Sequence, residues 1–143
     1  GMSIGTAESC TGGLLGARIT QIPGSSDVYR GGIIAYANGV KVAQLGVREA
    51  TLAEHGAVSE QVAREMADGV QRTLGTTIGI GITGIAGPGG GSPEKPVGTV
   101  WLAMSGPGET RSLGRVYVGD REEIRLRATQ ASLDLVRRSL GSL

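Results

Sequence analysis

TIGIGITGIAGPGGGSPEKPVGTVWLAM, residues 77–104, decides how this chain folds. Its two ends, Thr77–Ile82 and Val97–Met104, are apolar, short and rich in β-branched residues, and each predicts a buried strand. Glycine and proline dominate 83–99 between them, a composition that neither a helix nor a central strand tolerates. A loop of this length held between two core strands is costly to order, so it is expected to be functional rather than incidental. Gly89, Gly90 and Gly91 admit positive φ and close approach of a ligand to the backbone. Their N–H groups can then line an anion or carbonyl site, and Lys95 adds a positive charge. The competing reading is a flexible surface hairpin.

Working outward, Met2–Ala7 predicts a first strand. It runs into Glu8-Ser9-Cys10-Thr11-Gly12-Gly13, and a helix begins at Leu14. A strand, a small polar turn and a helix make a setting in which a helix N-terminus meets an anion or a nucleophile; Ser9 or Thr11 could equally cap the helix. Ile22–Asp27 turns the chain, and Gly31–Ala37 predicts a second strand. Asn38-Gly39 resembles a hairpin turn, yet Val40–Leu45 looks helical, which puts Lys41 in a first helical turn. Arg48–Glu54 predicts a short polar helix or turn, anchored by Val47 and Leu52. Ser59 is an N-cap for a helix whose Val62, Met66, Val70 and Leu74 stand four apart, and Gly75 ends it. Thr110–Val118 predicts a last strand. Arg121–Leu140 predicts a closing helix with Ile124, Ala128, Ala131, Leu135 and Leu140 toward the core. The alternation of strands and helices at both ends, with a hairpin-like pair between, predicts an α/β domain with helices covering a mixed sheet. The AESCTGG turn and the glycine loop each follow a strand, so both are expected at the strand ends where open sheets bind ligands.

With 143 residues the chain suits one domain, residues 1–143, with a genuine core. A net charge of +1 argues against a nucleic-acid footprint, and one Trp, three Tyr and no Phe give no stacking platform for single strands. A single Cys excludes an internal disulfide and fits a reducing compartment. No stretch reads as a signal peptide or a membrane span, so a cytoplasmic location and no membrane partner are expected. One His, one Cys and no HExxH pattern predict no metal site, and no cofactor is expected.

TAESCTGG, the IPGSS…GGIIAYAN…K block, GVREATLAEHGAVSE and GITGIAGPGGG…EKPVGTVW closely resemble the CinA C-terminal domain family. The motifs occur in the family's order and cover nearly the whole chain. The resemblance implies a three-layer α/β/α fold. It implies nicotinamide-nucleotide amidohydrolysis (NMN deamidase activity): conversion of nicotinamide mononucleotide to nicotinic acid mononucleotide with release of ammonia. It also implies a helix ahead of the first strand, where this chain starts almost at the strand.

That activity needs a nucleophile, a proton shuttle and donors for an oxyanion. His55 lies in a polar segment and is a poor base for a Ser–His–Asp set, which leaves a Ser–Lys arrangement whose lysine needs burial or a positive neighbour to titrate low enough. Lys41 follows an apolar strand and is the better of the two lysines. The resemblance places functional residues at Ser26, Tyr36, Lys41 and Ser9. The expected assignment is Ser26 as nucleophile, Lys41 as base and Tyr36 as its partner. Ser9 is the alternative nucleophile or a substrate ligand, and Cys10 is a sulfur alternative that Glu8 and Lys41 would complete. Thr11, Thr83, Gly84, Gly89, Gly90 and Arg121 are expected to bind substrate, with Arg121 suited to a phosphate. A phosphate-ligand binding module without turnover, and an interaction protein linked to competence or DNA damage, stay open beside the amidohydrolase. A homo-oligomer stays open as its assembly.

Overall fold

The computed structural model describes residues 1–141. In chain order it contains β1 (Ile4–Glu8), α1 (Leu14–Thr20), a 3-10 turn (Ser25–Asp27), β2 (Tyr29–Ile34), α2 (Asn38–Leu45), α3 (Glu49–His55) and α4 (Glu60–Leu74). There follow β3 (Ile78–Gly84), β4 (Thr99–Ser105), β5 (Arg111–Val116) and α5 (Arg121–Leu140). The strands form one sheet in the order β2-β1-β3-β4-β5. β2, β1 and β3 run parallel, and β4 and β5 continue the sheet antiparallel. α1 and α5 cover one face and α2, α3 and α4 the other, giving a three-layer α/β/α fold with a mixed sheet.

The alternation within β3 sets the two faces. Ile78, Ile80 and Ile82 point to one side, where they join Val100, Leu102 and Met104 of β4 and Ile124, Ala128 and Val136 of α5 in one core. Gly79 and Gly81 point to the other, where α4 rests directly on the strand. A Cβ at Gly79 would collide with the carbonyl oxygen of Ala67, and one at Gly81 with that of Ala63. A second core, built from Ala7, Ala35, Leu45, Val47, Val62, Met66 and Val70, fills the space between this helix layer and β1 and β2. α4 starts as expected, with the Ser59 hydroxyl accepting from the Val62 amide at 3.2 Å, and ends at Gly75 with φ 63°.

Three expectations shift. The second strand is Tyr29–Ile34 rather than 31–37, so Tyr36 lies beyond it. Asn38-Gly39 opens α2 instead of turning a hairpin, because the chain must leave β2 for a parallel crossover, which a two-residue turn cannot make. In α5 the buried face is Ile124, Ala128, Thr129, Ser132, Val136 and Ser139, with Ala131, Leu135 and Leu140 partly buried at its flanks.

β1 lies between β2 and β3: the chain passes from β1 through α1 to β2 on one side, then returns through α2, α3 and α4 to β3 on the other, with the two sets of helices on opposite faces. That is the switch-point arrangement that opens a crevice beyond the carboxyl ends of parallel strands. None of the described helices is long and apolar enough to cross a membrane.

Gly81→Ala is expected to cost roughly 3 kcal/mol, because the added methyl must push the α4 backbone off the sheet. A urea unfolding curve checks this, and an unchanged midpoint would contradict the direct helix-on-strand contact.

Candidate active site

A cleft of about 200 Å³ sits at that switch point, lined by Ser9 and Cys10 after β1, Tyr36, Asn38 and Lys41 after β2, and Thr83 and Gly84 at the end of β3, with Arg121 at its mouth. The pleat of β1 decides which side chains reach it. Thr6 and Glu8 share the face of α1: the Thr6 hydroxyl bonds the Tyr29 hydroxyl at 2.8 Å, and Glu8 turns under α1. Ala7 points to the opposite face. Ser9 continues the ladder, its amide donating to the Ile82 carbonyl, so its side chain falls on the side of α2.

Lys41 meets it there. The side chain is 1 % exposed, and its Nζ donates to Ser9 Oγ at 3.0 Å, to the Ala35 carbonyl at 2.9 Å and to the Tyr36 carbonyl at 3.0 Å. Burial in these surroundings pulls the Lys41 pKa down from the ordinary 10.5. The two carbonyls can only accept, so they hold two N–H groups of the amine. The third direction, an N–H in the ammonium and a lone pair in the neutral amine, points at Ser9.

Among the described residues Glu8 is the other buried charged side chain, 2 % exposed, and it does not pair with Lys41. Its Oε1 accepts from the amides of Leu15 (2.9 Å) and Gly13 (3.3 Å), and its Oε2 from that of Gly16 (3.1 Å). The carboxylate thus does what Ser9 or Thr11 was expected to do and caps α1 from the strand. Separation matters, because a carboxylate beside Lys41 would hold the lysine protonated.

The remaining candidates divide. Ser26 is exposed in the 3-10 turn before β2. Lys41 follows the other end of that strand, and six extended residues span roughly 20 Å. The expected Ser26–Lys41 pair is therefore not formed, and Lys41 engages Ser9 instead. Tyr36 contributes its carbonyl to Lys41; its phenol accepts from Arg121 Nη2 at 3.2 Å at the mouth of the cleft. Arg121 Nη1 also donates to the Gly87 carbonyl at 2.7 Å, which ties the base of the glycine loop to the start of α5. Thr83 lines the cleft while its hydroxyl donates to the Ala57 carbonyl at 2.8 Å. Gly84 packs against Cys10, where a Cβ would sit 3.2 Å from the sulfur. Gly89 and Gly90 are exposed and outside the lining, and Thr11 is fully buried beside it. Lys95 turns away to the His55 carbonyl, so the loop reaches the cleft through its first residues, not its tip. Cys10 does line the cleft, but burial pushes its thiol up to about 11, which keeps the sulfur protonated near neutral pH.

Two contributors went unread in the sequence. Glu8 gave no signal as a cap because it precedes the helix by more than a turn. Arg125, on α5, donates through Nε to the Cys10 carbonyl and through Nη2 to the Thr11 carbonyl, each at 3.0 Å. It lies far from the turn in sequence, and no local pattern announces it.

The chain is similar to proteins of known kinship. The family described as CinA C-terminal domain matches residues 1–140. A CinA-like protein of Gemmatimonas aurantiaca is 59% identical over 140 residues, covering 98% of this chain and 33% of that protein. A putative competence-damage inducible protein of Moorella thermoacetica is 53% identical over 139 residues, covering 97% and 34%. The chain thus spans about a third of the length of these relatives. The crystal structure of the competence/damage inducible protein CihA from Agrobacterium tumefaciens superposes with a TM-score of 0.94 at 43% identity, over 96% of this chain and 85% of that one. From residue 1 to residue 140, the chain belongs to the CinA C-terminal domain family.

Proposed function

We propose that this chain is an amidohydrolase that deamidates nicotinamide mononucleotide to nicotinic acid mononucleotide and ammonia, with Ser9 as nucleophile and Lys41 as base. The observation that carries the reading is the 3.0 Å contact between a buried, desolvated lysine and the hydroxyl of Ser9 in the cleft. The neutral amine takes the Ser9 proton as Oγ attacks the carboxamide carbon. The resulting ammonium returns that proton to the leaving nitrogen, which departs as ammonia, and an ester to Ser9 remains. Water, deprotonated by the same amine, cleaves the ester, releases the acid and restores the serine.

The substrate assignment rests on the family resemblance and on the charge at the mouth. Arg121 is the guanidinium that lines the cleft, and its fork suits a phosphate. A nicotinamide head reaches Ser9 past Thr83 and Gly84, and the phosphate stays outside near Arg121 and Tyr36.

Ser9→Ala is expected to lose nearly all ammonia release, and Lys41→Ala to lose on the order of 10²–10⁴-fold while still binding the nucleotide. Cys10→Ala and Ser26→Ala should stay within roughly tenfold of the parent, since neither side chain hydrogen-bonds Lys41 Nζ. Ammonia release from nicotinamide mononucleotide measures all four. Full activity in Ser9→Ala, or its loss in Ser26→Ala, would move the nucleophile. Nucleotide-dependent thermal stabilisation without ammonia release would leave a binding module.

The pH dependence has a definite sign. The reaction needs the neutral amine, and burial lowers the pKa of Lys41 from 10.5, so kcat/KM should rise with pH along a limb centred below 10.5 and fall as the lysine protonates. A kcat/KM profile without that limb would remove Lys41 as base.

Arg121→Ala is expected to raise KM for nicotinamide mononucleotide about 10- to 100-fold, the loss of one charged hydrogen bond, with much less effect on the phosphate-free nucleoside. Equal losses on both substrates would place the phosphate elsewhere.

A further inference from the structure

The turn that carries Ser9 is held at two points on the α1 and α5 face of the sheet. Glu8 draws the amides of Gly13, Leu15 and Gly16 beneath it. From α5, Arg125 takes the carbonyls of Cys10 and Thr11. These last two bonds also fix where the amides point, because a trans peptide is planar and its C=O and N–H face opposite ways. The Cys10 carbonyl belongs to the same plane as the Thr11 amide. Holding the former toward Arg125 turns the latter away from α5. The Thr11 carbonyl shares its plane with the Gly12 amide, which donates to the Ser9 carbonyl at 3.1 Å. That carbonyl in turn shares its plane with the Cys10 amide. Two bonds from one guanidinium thus orient two successive amides, directly and through one relay.

Among the described residues, the N–H groups of Cys10 and Thr11 donate to no oxygen acceptor, and the Cys10 amide faces its own thiol. They are the two amides that follow Ser9 in the chain, and Cys10 lines the cleft. Gly12, with φ +58°, passes so close to Arg125 that a Cβ there would lie 3.4 Å from Nη2, so the guanidinium sits against the turn.

We propose that Arg125 is a positioning residue for this chemistry: it holds the turn so that the amides of Cys10 and Thr11 receive the carboxamide oxygen when Ser9 attack turns it into an oxyanion. The proposal rests on the amidase reading above for its substrate, but not for its geometry. Backbone donors aimed in advance at a developing oxyanion are worth on the order of 10²–10³-fold in rate each, and a misaimed turn forfeits much of that.

The test uses the whole chain with Arg125→Ala, Arg125→Lys and, as a control on the same helix, the exposed Arg127→Ala. Two readouts run in parallel: ammonia release from nicotinamide mononucleotide, and the rate at which a fluorophosphonate labels Ser9, mapped by peptide mass. For Arg125→Ala we expect kcat to fall about 10²-fold with KM within about threefold, labelling to slow by a similar factor, and the pH limb of Lys41 to stay in place. Arg125→Lys should recover part of both rates, and added guanidinium at millimolar concentration should restore part of the Ala variant. Arg127→Ala should match the parent. Near-parental turnover and labelling in Arg125→Ala, a loss confined to KM, or a loss that guanidinium and lysine both fail to relieve would overturn the proposal. A parent chain that labels at Ser9 yet releases no ammonia would defeat the substrate reading alone, and the labelling ratios would still decide the role of Arg125.

Discussion

The absence of side chains between α4 and β3 is the constraint from which the rest of the architecture follows. Gly79 and Gly81 let the helix backbone rest on the strand at Ala67 and Ala63, at a spacing any β-carbon would prevent. The same economy recurs one layer out. Gly69 of α4 faces the Leu45 carbonyl, where a β-carbon would again collide, and Arg72 donates to that carbonyl at 3.3 Å. α2 is thereby seated close against α4, and Lys41 stands one helical turn before Leu45. Close packing of backbone on backbone fixes the height at which the lysine arrives under the end of β1.

That placement would be expensive if the lysine were merely buried. Here it is offset without a countercharge. Lys41 is held by two peptide carbonyls and Ser9, while Glu8, on the opposite face of the same strand end, is held by three peptide amides. Two buried charged side chains are each met by backbone dipoles, and the strand lies between them. An ion pair would have stabilised both charges and locked the lysine as an ammonium. Keeping them apart leaves an amine that desolvation drives toward its neutral form, the form a proton acceptor needs.

Several parts of the site were legible because their signals are local. Lys41 in the first turns of a helix after an apolar strand, Thr83 and Gly84 at the end of β3, and Arg121 at the start of α5 all reach the cleft. Which serine meets Lys41 was not legible. Ser9 and Ser26 are both small-turn residues beside a predicted element, and each could cap or bend the chain without further role. What separates them is which end of β2 they occupy, and that depends on the parallel pairing of β1 with β2. The loop was over-read for a related reason. Its glycines signal conformational freedom, not direction, and its tip projects into solvent while Arg121 grips the carbonyl of Gly87.

The sequence by itself determined the layers: periodicity and punctuation specify β1 through α5 to within a few residues, the Ser59 and Gly75 ends of α4 among them. Those features are set by neighbours a few residues away, through pleat, helical pitch and capping. The tertiary structure decided which side chains share a site. Ser9 and Lys41 stand 32 residues apart and Thr11 and Arg125 114 apart, yet each pair is joined at 3.0 Å. Such meetings depend on sheet order and on the height of helices above it. Both come from packing the whole chain at once, and no local stretch of residues encodes them.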